Sequence, residues 1–224
     1  MLNRIVTTKQ SGFTMTELMI ALVINSLLVI GLIAAVSANL NHYNKIINTN
    51  RLNQQLESTL HMMANDIRRA GYWVNAYTDI GLDQNSNPFM ASGVDISVNN
   101  TNNCILFTYD HSNNGSLPAI SASYDDERYG YRLNGTVIQA RPPGAAYDCT
   151  AAVDAWDNVT DSNVVTITGL TFTLNTSTVT TGPGARGIIV RSVDISLSGQ
   201  LTSDATITNT LTQHIRLRND KFIP

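Results

Sequence analysis

From Leu18 to Leu40 the chain reads LMIALVINSLLVIGLIAAVSANL, 23 residues without a charge. As a helix this run is roughly 34 Å long, enough to cross the hydrocarbon core of a bilayer. Downstream the continuous run gives way to a stripe. Leu52, Leu56, Leu60, Met63 and Ile67 recur at spacings of four, four, three and four, which marks one apolar helix face. Asn53, Gln54, Glu57, Asn65 and Asp66 fall mostly elsewhere. No proline occurs between Phe13 and Gly71. The two patterns therefore predict one long helix over 13–71 that ends near Gly71, with its upstream half in a membrane and its downstream half packed on a globular domain.

After residue 75 the composition shifts to Asn, Thr, Ser and Gly, interrupted by short runs with strand character. These runs are Val94–Val98, Cys104–Tyr109, Tyr129–Leu133, Thr136–Ala140, Val164–Thr168, Leu170–Leu174, Ile188–Leu197 and Ala205–Leu217. Val193, Ile195 and Leu197 alternate with Asp194, Ser196 and Ser198, as in a strand buried on one face. Asn134-Gly135 between two runs is a hairpin signal. A helix followed by strands predicts an α+β fold with an antiparallel β-sheet laid on the helix. No internal repeat is visible.

At 224 residues the chain has room for one membrane segment and one globular domain, here 72–224. Residues 1–12, MLNRIVTTKQSG, are polar and carry Arg4 and Lys9 but no acid. Cations on this side hold the N-terminus in the cytoplasm, so everything past the apolar run, from about residue 40, is exported. The formal net charge is -3, and loss of residues 1–12 would make it more negative by two. That balance argues against nucleic acid as a partner. Gly and Pro counts are ordinary, which excludes a collagen-like or low-complexity chain. An alternative reading is a conventional signal peptide, with Ala35-Val36-Ser37-Ala38 as its small-residue cleavage site. The apolar run is longer than a usual signal core and helix follows it without a break, which favours a retained anchor.

Glu17 is a lone acid at the head of this apolar helix. An unpaired charge is costly in a bilayer, so the position calls for a partner or for an interfacial, snorkelling placement. Ser11-Gly12-Phe13-Thr14-Met15-Thr16-Glu17-Leu18 resembles the cleavage and methylation site of the type IV prepilin superfamily. The resemblance combines a short basic leader, Gly-Phe, a spaced glutamate and an apolar run in one register. It implies that residues 1–12 are a leader, cut by a membrane prepilin peptidase between Gly12 and Phe13. It also implies that Phe13 is N-methylated and that Glu17 is an assembly and register residue. In the family such a glutamate is thought to pair with the new N-terminal amine of a neighbouring subunit. An amine at Phe13, with a reference pKa of about 7.7–8.0, is largely cationic at neutral pH. Pairing relieves the cost of carrying the acid into an apolar helix bundle.

Ala64-Asn65-Asp66-Ile67-Arg68-Arg69-Ala70-Gly71-Tyr72 resembles the end of the long helix in PilW-like minor pilins, where an acidic-basic run precedes Ala-Gly and an aromatic. A basic helix C-terminus with a glycine cap accounts for the same residues on physical grounds alone. The chain departs from major pilins in lacking a proline in the middle of the helix.

Cys104 and Cys149 are even in number and lie on the exported side, so a disulfide is expected; two buried free thiols are the alternative. A bridge closing that loop would contribute on the order of 3–4 kcal/mol in the chain-entropy picture. Asp83-Gln84-Asn85-Ser86-Asn87 begins like a calcium loop, but Pro88 replaces the glycine and no acid closes it. Asp110-His111-Ser112-Asn113-Asn114-Gly115 also lacks the closing acid, and Asp125, Asp126 and Glu127 form an acidic cluster. All three read better as solvated turns. His42, His61, His111 and His214 have no metal-ligand spacing. There is no Gly-x-Ser-x-Gly elbow. Gly182-Pro183-Gly184-Ala185-Arg186-Gly187 lacks the Gly-Lys-Ser/Thr of a phosphate loop and reads as a hairpin turn. No catalytic residue, metal or cofactor is expected.

Two function classes follow. The first is a structural filament subunit: by resemblance, a minor pilin that helps initiate and build type IV pili, or a minor pseudopilin of a type II secretion system. Its implied partners are other major and minor pilins, the prepilin peptidase, the inner-membrane assembly platform and the membrane itself. Its implied location is the bacterial inner membrane, as a single-pass protein with a periplasmic C-terminal domain, and then the pilus, including its tip. The second is a membrane-anchored binding module that never polymerises, which would need neither Gly12 nor Glu17.

Overall fold

In a computed structural model the chain is described over residues 12–79, 86–122, 125–152, 155–180 and 187–223. One helix, α1, runs from Met15 to Ile67 over 53 residues. It is long and apolar enough to cross a membrane. The chain divides into two compact units, one extending to Ile47 and one from Asn48 onward. In the upstream unit the apolar side chains from Leu18 to Leu40 are exposed in the isolated chain. The downstream unit contains the rest of α1 and all the strands.

The strands form two antiparallel sheets. β1 (Ser97–Val98), β2 (Cys104–Thr108), β3 (Arg128–Asn134), β4 (Val137–Ala140) and β5 (Asp157–Asn158) make a five-stranded meander in sequence order. β6 (Val165–Thr180), β7 (Gly187–Leu201) and β8 (Asp204–Arg216) make the second sheet. β9 (Lys221–Ile223) resumes pairing on β7, opposite Gly187–Ile189, on the edge that β8 occupies further along. The expected single sheet is thus two.

The predicted helix stripe is the centre of this unit. Leu52, Leu56, Leu60, Met63 and Ile67 are all buried, in one core with Ile105, Phe107, Tyr131 and Ile138 of the first sheet and Val165, Phe172, Val193, Ile195 and Leu197 of the second. Each such side chain contributes about 1.5–3 kcal/mol by leaving water. From Arg191 to Leu201 β7 alternates buried and half-exposed residues, as the sequence pattern requires.

Several expected strands have different limits. Val94–Val98 shrinks to the two residues of β1, because Asp95 turns its carboxylate onto the Ile96 amide at 2.8 Å and the chain before it is bent. The runs at Val164–Thr168 and Leu170–Leu174 fuse into β6, with a register shift between Ile167 and Gly169 absorbing the extra residue. Asn134-Gly135 does mark the β3–β4 hairpin. The two loop residues are Gly135 and Thr136, since Asn134 pairs with Val137, and Gly135 alone takes a positive φ of 59°. β5 and β9, and 3-10 helices over Val74–Asp79 and Pro88–Met90, carry no periodic signal and were not anticipated.

α1 unwinds through a turn that finishes at Gly71. There the Gly71 N–H donates to Thr108 O at 2.8 Å, handing the chain to the first sheet. The last helical carbonyls are not left bare. Asn219 Nδ2 donates to Arg69 O and Ala70 O at 3.2 and 3.1 Å, and the Arg218 N–H donates to Arg68 O at 3.2 Å. Gly71 has φ 75°, and a Cβ there would run into Met90 Cε and lie 3.1 Å from Arg191 Nη2. Gly71→Ala should therefore destabilise the β-rich unit by about 1–2 kcal/mol. Urea unfolding of the full chain in detergent, followed by tryptophan fluorescence, would measure the loss.

Candidate assembly site

The head of α1 is where the sequence places its chemistry. Gly12 and Phe13 precede the helix, and both are exposed, Phe13 at 89%. Thr14 is the residue before the first helical position, and Glu17 is the third residue inside. Their side chains exchange bonds. The Glu17 N–H donates to Thr14 Oγ1 at 3.3 Å, and the Thr14 N–H donates to Glu17 Oε2 at 3.0 Å. Thr14 Oγ1 also donates to Glu17 Oε2 at 2.9 Å. This is a reciprocal capping box, which satisfies two of the amides that a helix N-terminus leaves unpaired. The Thr-x-x-Glu spacing is its sequence signal, a local role for Glu17 beyond those expected of it.

The geometry gives Glu17 two capacities. Oε2 holds the first turn together, while Oε1 makes no bond among the described residues and can still accept one. A carboxylate pinned this way keeps a fixed place beside the start of the helix. The Leu18–Leu40 run continues directly from it, so the acid marks where an apolar surface begins. Of the expected leader, residues 1–11 lie outside the described residues.

The other end of α1 carries the acidic-basic run. Asp66 accepts a 2.5 Å bond from the Tyr131 hydroxyl, and the Arg69 guanidinium lies 5.8 Å over the Tyr109 ring. Tyr109 stacks on Tyr129 at 4.2 Å, and Phe107 flanks both. Burial pushes the Tyr131 phenol far above its ordinary value, and the Asp66 charge adds to the effect. Asp66, Arg69 and Gly71 thus tie the helix to the first sheet.

Cys104 and Cys149 form a disulfide, with Cα atoms 6.0 Å apart. Arg132 clamps the loop that carries Cys149. Its guanidinium donates to the carbonyls of Cys149, Ala151 and Ala152 and to Gln139 Oε1, and it lies 4.6 Å over the Trp156 ring.

The remaining acids are structural where they are described. Residues 83–85 of the first calcium-like run lie outside the described residues, while Asn87 caps the 3-10 helix at Phe89 N and donates to Gly71 O. Asp110 accepts from the Val74, Asn114 and Gly115 amides, organising its own turn. The acidic cluster is not a set of solvated turns throughout. Asp126 is buried between Arg141 and Arg128 and accepts from the Gly144 amide, and Glu127 is buried and accepts from the Ser112 amide. For Asp126 the arginines supply the reason, since a carboxylate enters the interior when paired and hydrogen-bonded. His111 packs edge-on against Tyr109, and His214 pairs with Asp194 at 2.6 Å, a contact that holds the Asp194 carboxyl below its usual range. Among the described residues no group of three or more His, Cys, Asp or Glu side chains is placed to hold a metal. Residues 182–186 of the expected glycine-rich turn lie outside the described residues; Gly187 opens β7.

Residues 45–217 match the family described as prepilin peptidase-dependent protein B. Residues 7–38 match the prokaryotic N-terminal methylation motif. No curated protein and no solved structure matches the chain.

Thr14→Val removes the hydroxyl of the capping box and should fray the first turn of α1, at a cost of about 1 kcal/mol. Thr14→Ser should retain the turn. Amide hydrogen exchange at Glu17, measured on the chain in detergent, reads the difference directly.

Proposed function

The chain belongs to the prepilin peptidase-dependent protein B family, and from that premise we propose that it is a non-catalytic minor pilin which helps initiate and build type IV pili. Leader removal between Gly12 and Phe13, with methylation of Phe13, produces the mature subunit. α1 anchors it in the inner membrane with the β-rich unit in the periplasm, and the same apolar helix then packs among the helices of other pilins. One observation carries the reading: Glu17 sits at a fixed place on the first turn of α1, at the head of the uncharged Leu18–Leu40 run and five residues into the proposed mature chain.

The mechanism follows from that placement. While the subunit is in the membrane, the capping box occupies Glu17 Oε2 and lowers the cost of holding an acid near the apolar phase. When a neighbour presents its Phe13 amine, Oε1 accepts it. Correct register pairs both charges. A register one residue out leaves both unpaired in a medium of low polarity, which is the more costly state. The energy difference thus lies between registers rather than between bound and free chain.

Gly12→Val places a β-branched side chain where the peptidase reads glycine, so the leader should remain attached. Mass spectrometry of the membrane-extracted chain should find wild-type protein starting at methylated Phe13 and the variant starting at Met1. A mature chain beginning near Ser37 or Asn39 would sink the reading and point to a conventional signal peptide.

Glu17→Val keeps the helix apolar, so insertion and cleavage should persist while incorporation falls. The variant should collect in the inner membrane as cut, disulfide-bonded monomer and be depleted from sheared filaments by about tenfold or more, as expected for an unpaired buried amine. Filament number should fall with it. Undiminished incorporation alongside normal cleavage would remove Glu17 from assembly.

A further inference from the structure

Among the described residues strand β6 lies at an edge of the second sheet, with β7 as its one strand partner. The first half of its free edge is already in use. The Ile167 N–H donates to Thr136 O at 2.9 Å, and the Phe172 N–H donates to Asn102 O at 2.7 Å. Backbone polar groups of an antiparallel strand alternate between its two sides. Phe172 points away from β7, so the N–H and C=O groups of Leu174, Thr176, Thr178 and Thr180 do so as well. Among the described residues no backbone group meets them, and Asn175 to Thr180 are exposed throughout.

The other edges carry the usual safeguards. The first sheet ends in β1 and β5, each only two residues long. β8 carries Asp204, His214 and Arg216. Short edge strands and edge charges both discourage added strands. Asn175-Thr176-Ser177-Thr178-Val179-Thr180 has neither charge nor proline, and four of its six residues are β-branched. One side-chain row also ends there. Val179, Ile188 and Phe222 lie opposite one another across β6, β7 and β9, with Val179 51% and Phe222 49% exposed. A further strand would extend that row past Val179.

We propose that the edge from Leu174 to Thr180 receives an extended segment of a different polypeptide as an added strand. The segment is uncharged and sets an apolar residue beside Val179. Main-chain hydrogen bonds supply its affinity, and the alternate side chains supply its choice of partner. A second copy of this chain fits less well. Pairing Leu174–Thr180 with itself requires outward-pointing residues to meet, Leu174 with Thr180 and Thr176 with Thr178. That register sets Val179 against Asn175. The proposal stands apart from the reading of the N-terminus.

The test uses the full chain in its native host with Ser177→p-benzoylphenylalanine, irradiated in intact cells. Mass spectrometry of the adduct should locate one segment in a different polypeptide. Thr178→Pro deletes an N–H that faces away from β7, so the β6–β7 ladder survives while the added strand is blocked. Thr176→Lys keeps every N–H and places a charge on the edge. Thr178→Pro should lower the adduct about tenfold, the effect of losing one or two backbone hydrogen bonds, and Thr176→Lys should lower it through the edge charge alone. Thr178→Val, and Thr210→Lys on β8, should leave it unchanged. An adduct that survives both Thr178→Pro and Thr176→Lys, an adduct only to this chain's own peptides, or no adduct at all would overturn the proposal. Scoring Phe13 processing in the same cells separates any such result from a failure of maturation.

Discussion

The burial of one helix face holds the β-rich unit together. The inward residues of both sheets converge on Leu52, Leu56, Leu60, Met63 and Ile67, and the opposite face of the first sheet adds only a smaller cluster of Cys104, Leu106 and Trp156. Without the stripe, Phe107 and Ile138 on one side and Phe172 and Ile195 on the other would face water or each other across a gap. The strands are therefore organised around α1. This explains why the β-rich unit begins at Asn48, well inside the helix, and not where the helix ends. It also sets two demands on one uninterrupted element. Upstream, apolar residues on every side suit lipid or other helices. Downstream, a single apolar face suits two sheets while the opposite face meets water.

The final residues of the chain close this arrangement. Arg191 on β7 donates to Asp95 Oδ1 at 2.6 Å and to Asn219 O at 2.8 Å, and Lys221 Nζ reaches Asp95 Oδ2 and Met90 O. Asn219 in turn caps the end of α1. One cluster thus joins the helix terminus, the loop before β1, the middle of β7 and the C-terminal strand. Arg191 is buried, so losing Asp95 would leave an uncompensated charge in the interior, a larger cost than losing an exposed pair. Asp126, between Arg141 and Arg128, does the same for the loops of the first sheet.

Features with a long period were legible in the amino-acid order, and features settled by tertiary contact were not. α1 could be read because 23 uncharged residues and then a five-residue stripe keep one conformation for more than fifty positions. The turn that ends it at Gly71 could be read because a positive φ selects glycine. The strict alternation in β7 made it a strand buried on one face. By contrast, nothing local separates one sheet from two, since both present their apolar faces to the same helix. β5 and β9 are too short to show a period and exist because β4 and β7 offer them an edge. The buried state of Asp126 and Glu127 could not be seen from a run of three acids, because Arg141 and the Ser112 amide arrive from elsewhere in the chain. At the head of α1 the local rule was visible and was masked by a functional one, since Glu17 serves both.

The disulfide has a mechanical side. A chain held by its helix and pulled through its outer strands would experience tension along the backbone. Cys104 and Cys149 are 45 residues apart, and the bridge joins β2, next to the core, to the loop clamped by Arg132. At roughly 3.3–3.6 Å per extended residue, the crosslink withholds about 150 Å of contour from a chain being pulled. β3, β4 and the loops between them cannot be drawn out in line, whatever becomes of their hydrogen bonds. Stretching is confined to segments outside the loop, and on release the covalently closed part has a far smaller search to return to its register.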